Sequence, residues 1–257
     1  MFNSDISSQI FLGIISLISN FISALAGGGA GLLQLPALLF FGLPFSKALA
    51  THKVASVALG LGASIPHIKS NTLQGKYILL ILLSGIPGVL IGACMASTLP
   101  SKFSSILLGF LTLFLCFYST NNKSLGNINN LTSIGNFRFF IGSAGLFIIG
   151  FLNGYLSSGT GLFVTIWMVT IFNLTFSLAV AYTLVLVGIF WNGIGAISLG
   201  LSGNIVWAYI PILIICSLLG GYFGAYFSII KGSKLIKVVF EIVSLSVGIS
   251  LLIKAFL

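Results

Sequence analysis

The stretch AGGGAG at residues 26–31 interrupts an apolar run of about 34 residues near the start of the chain, and SSGTG at residues 157–161 is its counterpart in the second half. The apolar elements on the two sides of AGGGAG have only about 17 and 14 residues, whereas a helix needs about 20 to cross a bilayer. Glycines at membrane depth expose backbone groups that hydrocarbon does not tolerate unless protein or water satisfies them. The two stretches therefore predict broken or re-entrant membrane helices.

The composition excludes a soluble globular protein. Of 257 residues, 58% are hydrophobic and only 5% are charged, about a fifth of the charge of an ordinary soluble domain. The apolar runs do not alternate with polar residues, which excludes a β-barrel. The net charge of +9 comes from single basic residues between apolar runs, which is typical of membrane-protein loops and not of a nucleic-acid interface. The sequence thus predicts an all-α polytopic membrane protein.

Loops that contain Gly, Pro, Asn and Lys divide the chain into ten apolar elements. The predicted elements are 10–26, 30–43, 45–67, 76–97, 103–119, 138–156, 160–173, 176–200, 205–230 and 235–256. The longest polar stretch lies between the fifth and the sixth. We therefore predict a first repeat at residues 1–118, a polar linker at 119–136 and a second repeat at 137–257.

The two halves resemble each other in sequence, which indicates a duplicated unit. The matching pairs are FISALAGGGAGLL (21–33) with FLNGYLSSGTGLF (151–163), FFGLPFSKALA (40–50) with IFNLTFSLAVA (171–181), and the GxxxGA stretches 88–93 and 220–225. Each half holds an odd number of elements, so two copies in one chain must insert with opposite orientation. This parity holds whether the first two elements of a half are two spans or a re-entrant hairpin. We therefore predict two inverted repeats of about five helical elements each.

Basic residues are distributed unequally between the two predicted sides of the membrane. One side carries Lys69, Lys76, Lys123, Arg138, Lys231, Lys234 and Lys237, and the other carries Lys47, Lys102 and Lys254. Because cytoplasmic loops are enriched in Lys and Arg, the first side is predicted to be cytoplasmic. Both termini are then outside.

The glycine stretches predict an anion site. A helix that restarts after such a break directs free N–H groups and about half a positive charge toward it, and short, Gly-broken segments at matching positions of inverted halves are typical of a transporter binding site. The alternative is that small residues only allow close helix packing. The candidate binding residues are Gly27, Gly28, Gly29, Gly31, Ser157, Ser158, Gly159, Thr160 and Gly161.

Lys53 lies about eight residues into the third element, so about 12 Å deep at 1.5 Å per residue. An intramembrane charge is costly and is by default a functional candidate; the alternative is that the side chain snorkels to the interface. Thr51 and His52 adjoin it and are further candidates, although a lone membrane His is also common as a packed hydrogen-bonding residue. In the second half, which has no charged residue or His between Arg138 and Lys231, Asn153 is the matching candidate.

Residues 26–56, AGGGAGLLQLPALLFFGLPFSKALATHKVAS, resemble the first-repeat signature of the TauE/SafE family of sulfite exporters, and residues 150–163, GFLNGYLSSGTGLF, resemble its second glycine motif. The resemblance continues through LSGNIVW (201–207), GGYFGAYFS (220–228) and KGSKLIK (231–237). It implies a bacterial inner-membrane permease for sulfite, organosulfonates or related small anions.

This chain departs in two respects from the pattern that the resemblance implies. Relatives of the most similar subgroup carry an acidic residue just before each glycine motif, where this chain has Ser23 and Asn153. They also repeat the Lys in the second half, where the alignments offer Tyr182 or Leu184, whereas Lys53 itself matches the first-repeat Lys.

The function that these features favour is a secondary transporter, an exporter of a small anion, that works by alternating access and is driven by the membrane potential. A passive anion channel is the alternative, followed by a structural membrane subunit. An enzyme is not expected, because the two carboxylates are peripheral and the three cysteines show no metal-ligand spacing. The expected partners are the small anionic substrate and the lipid bilayer, with no nucleic acid and no cofactor. A homo-oligomer remains open.

The first prediction concerns orientation. Single cysteines placed in the linker 119–136 of a variant without the native cysteines should react with a membrane-impermeant maleimide only after the cytoplasmic face is exposed, because the basic bias places this linker inside. Cysteines near Lys47 serve as the control and should react in intact cells. Labelling of the linker in intact cells would contradict the predicted orientation.

Overall fold

The computed structural model describes residues 6–70, 73–96, 101–122 and 135–256, and these residues are helical apart from short connections. The helices are α1 (Ile6–Ala26), α2 (Gly31–Phe40), α3 (Phe45–Ser70), α4 (Gly75–Met95), α5 (Ser101–Asn121), α6 (Asn136–Leu156), α7 (Thr160–Phe172), α8 (Phe176–Leu201) and α9 (Ile210–Phe256). The predicted all-α class is confirmed. The body of the predicted linker, residues 123–134, lies outside the described residues.

Helix α9 contains the last two predicted elements, which are separated by a break at Gly232. This residue has φ 73° and ψ −179°, a conformation that only glycine adopts without strain. At 1.5 Å per residue, 47 residues would extend about 70 Å, more than twice the thickness of a hydrocarbon core. The break thus divides α9 into an N-terminal arm before Gly232 and a C-terminal arm after it.

Six of the described helices are long and apolar enough to cross a membrane. They are Ser7–Ala26, Phe45–Ser70, Gly75–Met95, Asn136–Leu156, Phe176–Leu201 and Trp207–Ile253. Large apolar side chains also lie on the outer surface of the bundle, among them Leu83 and Phe140, which are 71% and 72% exposed. Both features fit a multi-pass membrane protein with lipid around it.

Each of the two short helices that follow the glycine stretches folds back along the helix before it, so that each pair forms a hairpin. Helix α2 runs back along α1, because Gln34 lies beside Ser16 while Phe41 packs on Phe11, their ring centroids 6.2 Å apart. Helix α7 runs back along α6 in the same way, and the Trp167 indole near its end donates to the carbonyl of Gly142 near the start of α6. Ten residues extend only about 15 Å, so α2 is too short to span.

Small residues bring the backbones of two helix pairs together. Gly88 and Gly92 of α4 contact backbone atoms of Phe147 and Phe151 on α6. Gly220 and Gly224 of α9 contact backbone atoms of Leu17 and Phe21 on α1. Close backbone approach through glycine is typical of membrane helix pairs. The two sets of contacts join residues that correspond in the sequence repeat, as a duplication predicts; the inverted insertion of the halves stays a prediction.

Candidate functional site

The tips of the two hairpins touch at the glycine stretches. A Cβ atom at Gly28 would lie 2.5 Å from both the carbonyl carbon of Gly161 and the amide nitrogen of Leu162, and Gly28 has φ +150°. No larger residue fits there without moving the backbone. Thr165 on α7 adds a hydrogen bond of 2.9 Å to the carbonyl of Gly27. The first stretch is thus fixed to the second by direct backbone contact.

A cavity of about 40 Å³ lies at this junction, between the hairpin tips, α3 and α8. A water needs about 10–15 Å³ by this measure, so the cavity has room for a few waters or a small ion. Eight of the predicted site residues line it: Gly28, Gly29, Gly31, His52, Asn153, Ser157, Thr160 and Gly161. We call it the central cavity.

The short helices α2 and α7 both begin at the central cavity. The first N–H groups of a helix have no partner one turn earlier, and the cap residues Ala30 before α2 and Gly159 before α7 provide no side-chain hydrogen bond. Turn hydrogen bonds already engage the N–H of Leu33 in α2 and those of Thr160 and Leu162 in α7. Each helix start also carries about half a positive charge. The cavity is therefore lined by two sets of polarised donors that suit an anion.

Lys53 places its basic side-chain nitrogen next to this cavity. Its ammonium donates to the main-chain carbonyl of Asn153 at 2.9 Å, to the side-chain oxygen of Asn153 at 3.1 Å and to that of Asn192 at 3.3 Å. The side chain is fully buried, so the snorkelling alternative is wrong. Lys53 is not itself in the cavity wall; it lies behind Asn153, at the C-terminal turn of α6, where a cation is stabilised by the helix dipole.

The charge of Lys53 has no carboxylate partner. In the described part of the chain the recorded ion pair is Lys237 with Glu241 at 4.0 Å, and Glu241 also accepts from Ser119 on α5 at 2.9 Å. None of these residues lines the central cavity. The polar groups around Lys53 are thus neutral, and its positive charge is left uncompensated beside the cavity.

His52 forms part of the cavity wall and is held by a polar network. Its Nδ1 lies 2.6 Å from Oε1 of Gln34, while Nε2 lies 3.3 Å from the hydroxyl of Ser56. The Gln34 amide nitrogen donates to Ser16 at 2.8 Å, so its oxygen faces the histidine as an acceptor. In this assignment Nδ1 carries the proton and Nε2 is an acceptor toward Ser56. Sequence reasoning did not identify Gln34 as a support for His52.

Five predicted residues, Lys53 among them, lie outside the cavity wall. The Thr51 hydroxyl accepts from the backbone N–H of Val206 at 3.1 Å, and the Ser158 hydroxyl donates to the carbonyl of Gly31 at 2.7 Å. Gly27 accepts from Thr165, as described above, and Gly159 is the left-handed residue before α7. Three of these four residues shape the hairpin tips, and Thr51 connects the N-terminal part of α3 to the segment before α9.

Helix α8 contributes cavity residues that the predicted site did not include. They are Thr183, Leu184, Val187, Gly188 and Asn192. Residues Thr183–Trp191 form a π-helix, which is wider than an α-helix and is often found at functional sites. Asn192 and Thr183 could be found as polar residues in a half without charges, but no sequence signal marks the π-helical register. Of the two positions that the alignments pair with Lys53, Tyr182 and Leu184, the second lines the cavity.

The second prediction tests the contact between the hairpin tips. Gly28→Ala should lower the stability of the purified protein by about 1–3 kcal/mol, because the new methyl group overlaps backbone that cannot rotate away. Gly42→Ala is the matched control, since Gly42 also has a positive φ of 82°, but a methyl group added there would have no atom within 4 Å. Equal losses in the two variants would show that backbone strain, and not the contact, determines the result.

Comparison with known proteins agrees with this architecture. A 243-residue match to a Sinorhizobium protein named "Probable membrane transporter protein ORF9" is 28% identical and covers 94% of this chain and 91% of the relative. A Haemophilus influenzae protein named "Probable membrane transporter protein" is 28% identical over 90% of this chain and 89% of its own. A Bacillus subtilis protein, "Probable membrane transporter protein YunE", is 25% identical over 95% and 97%. No solved structure matches.

The family model described as "Sulfite exporter TauE/SafE" matches residues 12–251, which is most of the chain. The resemblance found in the glycine motifs is thereby confirmed. The chain belongs to the TauE/SafE sulfite exporter family of membrane transporters.

Proposed function

We propose that the central cavity binds a small oxyanion, such as sulfite or an organosulfonate, and that the protein carries it across the bacterial cell membrane as an exporter. One observation supports this most strongly. Two helix N-termini without side-chain caps meet at one cavity, the buried side chain of Lys53 lies just behind its wall at Asn153, and no carboxylate lines it. Hydrogen bonds between an ionised group and fixed donors are stronger than neutral ones. The cavity therefore offers hydrogen-bond donors to a dehydrated anion, whereas it offers no carboxylate to a cation.

The proposed mechanism is alternating access between the two predicted repeats. Each hairpin tip belongs to a different half, and the tips touch at Gly28 and Gly161. A relative movement of the halves would open this contact first on one side of the cavity and then on the other, as in carriers with broken helices at the repeat interface. The close backbone contact supports a carrier over an open channel, which needs a continuous pathway.

The proposed driving force is the membrane potential. Proton-coupled carriers commonly use an intramembrane Asp or Glu, and the two positions where relatives are acidic hold Ser23 and Asn153 here. With the cytoplasm negative, moving one negative charge outward is favourable by about 2.3 kcal/mol per 100 mV. This corresponds to about a fifty-fold gradient at 1.4 kcal/mol per tenfold.

The third prediction tests this coupling. In liposomes with a potassium gradient and valinomycin, at equal pH on both sides, sulfite flux should reverse when the imposed potential is reversed. Protein-free liposomes and sodium gluconate in place of sulfite are the controls. Flux that ignores the potential but follows an imposed pH gradient would contradict the proposal and make His52 the first residue to substitute, and single-channel currents would show a channel.

The fourth prediction concerns Lys53. Lys53→Gln should reduce sulfite flux about tenfold or more, because charge-assisted interactions contribute about 1.5–3 kcal/mol each. Lys234→Gln is the matched control, since it makes the same substitution at an exposed lysine away from the cavity. Both variants are first compared by size-exclusion chromatography to show that they fold. Unchanged flux in folded Lys53→Gln would show that this lysine does not contribute to transport.

A further inference from the structure

Most hydroxyl groups in the wall of the central cavity already donate to the protein. The described residues that bring a hydroxyl to this wall are Ser23, Ser56, Ser157, Thr160 and Thr183. With the histidine assignment given above, four of them donate over 2.8–3.4 Å: Ser56 to His52, Ser157 to Asn192, Thr160 to the carbonyl of Ser157, and Thr183 to the carbonyl of Ala179. Because a hydroxyl has one proton to donate, these four have no further proton for a ligand.

Ser23 differs from these four residues. It is 2% exposed, and its hydroxyl has no hydrogen-bond partner among the described residues. A serine inside a helix often donates to a carbonyl three or four residues earlier, as Ser19 on the same helix does to Ser16 at 3.1 Å. Ser23 makes no such bond. A buried polar group without a partner is unfavourable, and a ligand acceptor in the cavity would remove this penalty.

The position of Ser23 is fixed by the first hairpin tip. Its carbonyl accepts from the N–H groups of Gly27 and Gly28, both at 2.9 Å. Gly31, where α2 begins, lines the same cavity. Ser23 and the start of α2 thus contribute to one wall of the cavity from the first half. The partial positive charge of a helix start and a hydroxyl donor both suit an anion.

The corresponding position in the second half is already engaged. Asn153 is the counterpart of Ser23 in the sequence repeat. Its amide donates to Thr160 at 2.9 Å, and its side-chain oxygen accepts from Lys53 at 3.1 Å. The second half therefore uses this position to hold its own side chains together. In the first half the same position offers an uncommitted hydroxyl to the cavity.

We propose that Ser23 contacts the bound anion: its hydroxyl donates to the anion and holds it beside the start of α2. The inference rests on the proposed function and adds a contact that neither the glycine stretches nor Lys53 provides. Lys53 acts from behind Asn153, whereas Ser23 donates directly. A hydrogen bond to an ionised acceptor is stronger than a neutral one. Ser23 thus contributes to affinity when an anion is bound and lowers stability when none is bound.

The fifth prediction uses this difference in sign. Ser23→Ala is compared with the wild type in nanodiscs, and the dissociation constant of sulfite is obtained from the shift of the unfolding midpoint. Sulfite binding should weaken by about tenfold to a hundredfold, because a hydrogen bond to a charged group is lost. Without sulfite the midpoint should stay the same or rise, because a buried hydroxyl without a partner is removed. A serine that only supports the fold would lower the midpoint instead.

Two further variants test whether the donor itself is responsible. Ser244, in the C-terminal arm of α9, is 1% exposed and its hydroxyl also has no partner among the described residues, but it does not line the central cavity. Ser244→Ala is therefore the matched control and should bind sulfite as the wild type does. Ser23→Cys keeps nearly the same shape, but its thiol is only a weak donor, so it should also bind sulfite less tightly.

Three results would overturn the inference. Unchanged sulfite binding in Ser23→Ala would mean that the hydroxyl serves only the apolar cavity of about 490 Å³ that Ser23 also lines. Wild-type affinity in Ser23→Cys together with weak binding in Ser23→Ala would mean that the shape of the side chain matters and the donor does not. Equal weakening in Ser244→Ala would show an effect that is not specific to the cavity.

The wild type separates this inference from the proposed function. If sulfite stabilises the wild type and Ser23→Ala equally, the inference fails and the proposed anion site stands. If sulfite does not stabilise the wild type, the proposed binding of sulfite fails, and the inference fails with it.

Discussion

The arrangement of the whole site depends on the backbone contact between Gly28 and Gly161. A single methyl group at Gly28 would lie 2.5 Å from backbone atoms of the opposite hairpin. Because the tips touch, the starts of α2 and α7 come to one place, and both helix N-termini point to one cavity. The same contact leaves polar backbone at membrane depth, which is tolerated only where protein or a water-filled cavity covers it. The contact between the hairpin tips therefore both fixes the two hairpins together and creates the central cavity.

The buried side chain of Lys53 is best explained by its position beside the central cavity. An ammonium in a membrane-spanning helix is costly, and Lys53 reduces that cost with neutral oxygens of Asn153 and Asn192. Such partners solvate a cation without cancelling its charge. A carboxylate in their place would form an ion pair and remove the attraction for an anionic ligand. The absence of acidic residues at the positions of Ser23 and Asn153 thus fits the proposed direct role of the potential.

The sequence predicted much of this because its signals are local. Apolar runs and glycine stretches predicted the positions of the helices and their breaks. The internal repeat indicated that the two glycine stretches correspond, and Lys53 was identified because it is an isolated basic residue inside an apolar element. The sequence could not predict where the Lys53 side chain points, since this depends on the packing of α3 against α8 and on the position of Asn153 at the end of α6. It also could not give the residues of α8 that face the cavity, because the π-helix from Thr183 to Trp191 changes their register without a distinctive composition. The support of His52 by Gln34 likewise requires the fold of α2 against α3.

The two halves differ in charge and polarity around the central cavity. Lys53 and Asn153 lie together on one side of the cavity, and Leu184 and Ser23, which are both uncharged, belong to its lining. Two lysines around a cavity this small would repel each other in a low dielectric, where charge interactions are strong, and would favour a divalent ligand. One lysine leaves a single charge beside the cavity, which suits a monoanion. Leu184 and Ser23, whose hydroxyl has no hydrogen-bond partner among the described residues, thus contribute no charge to the cavity.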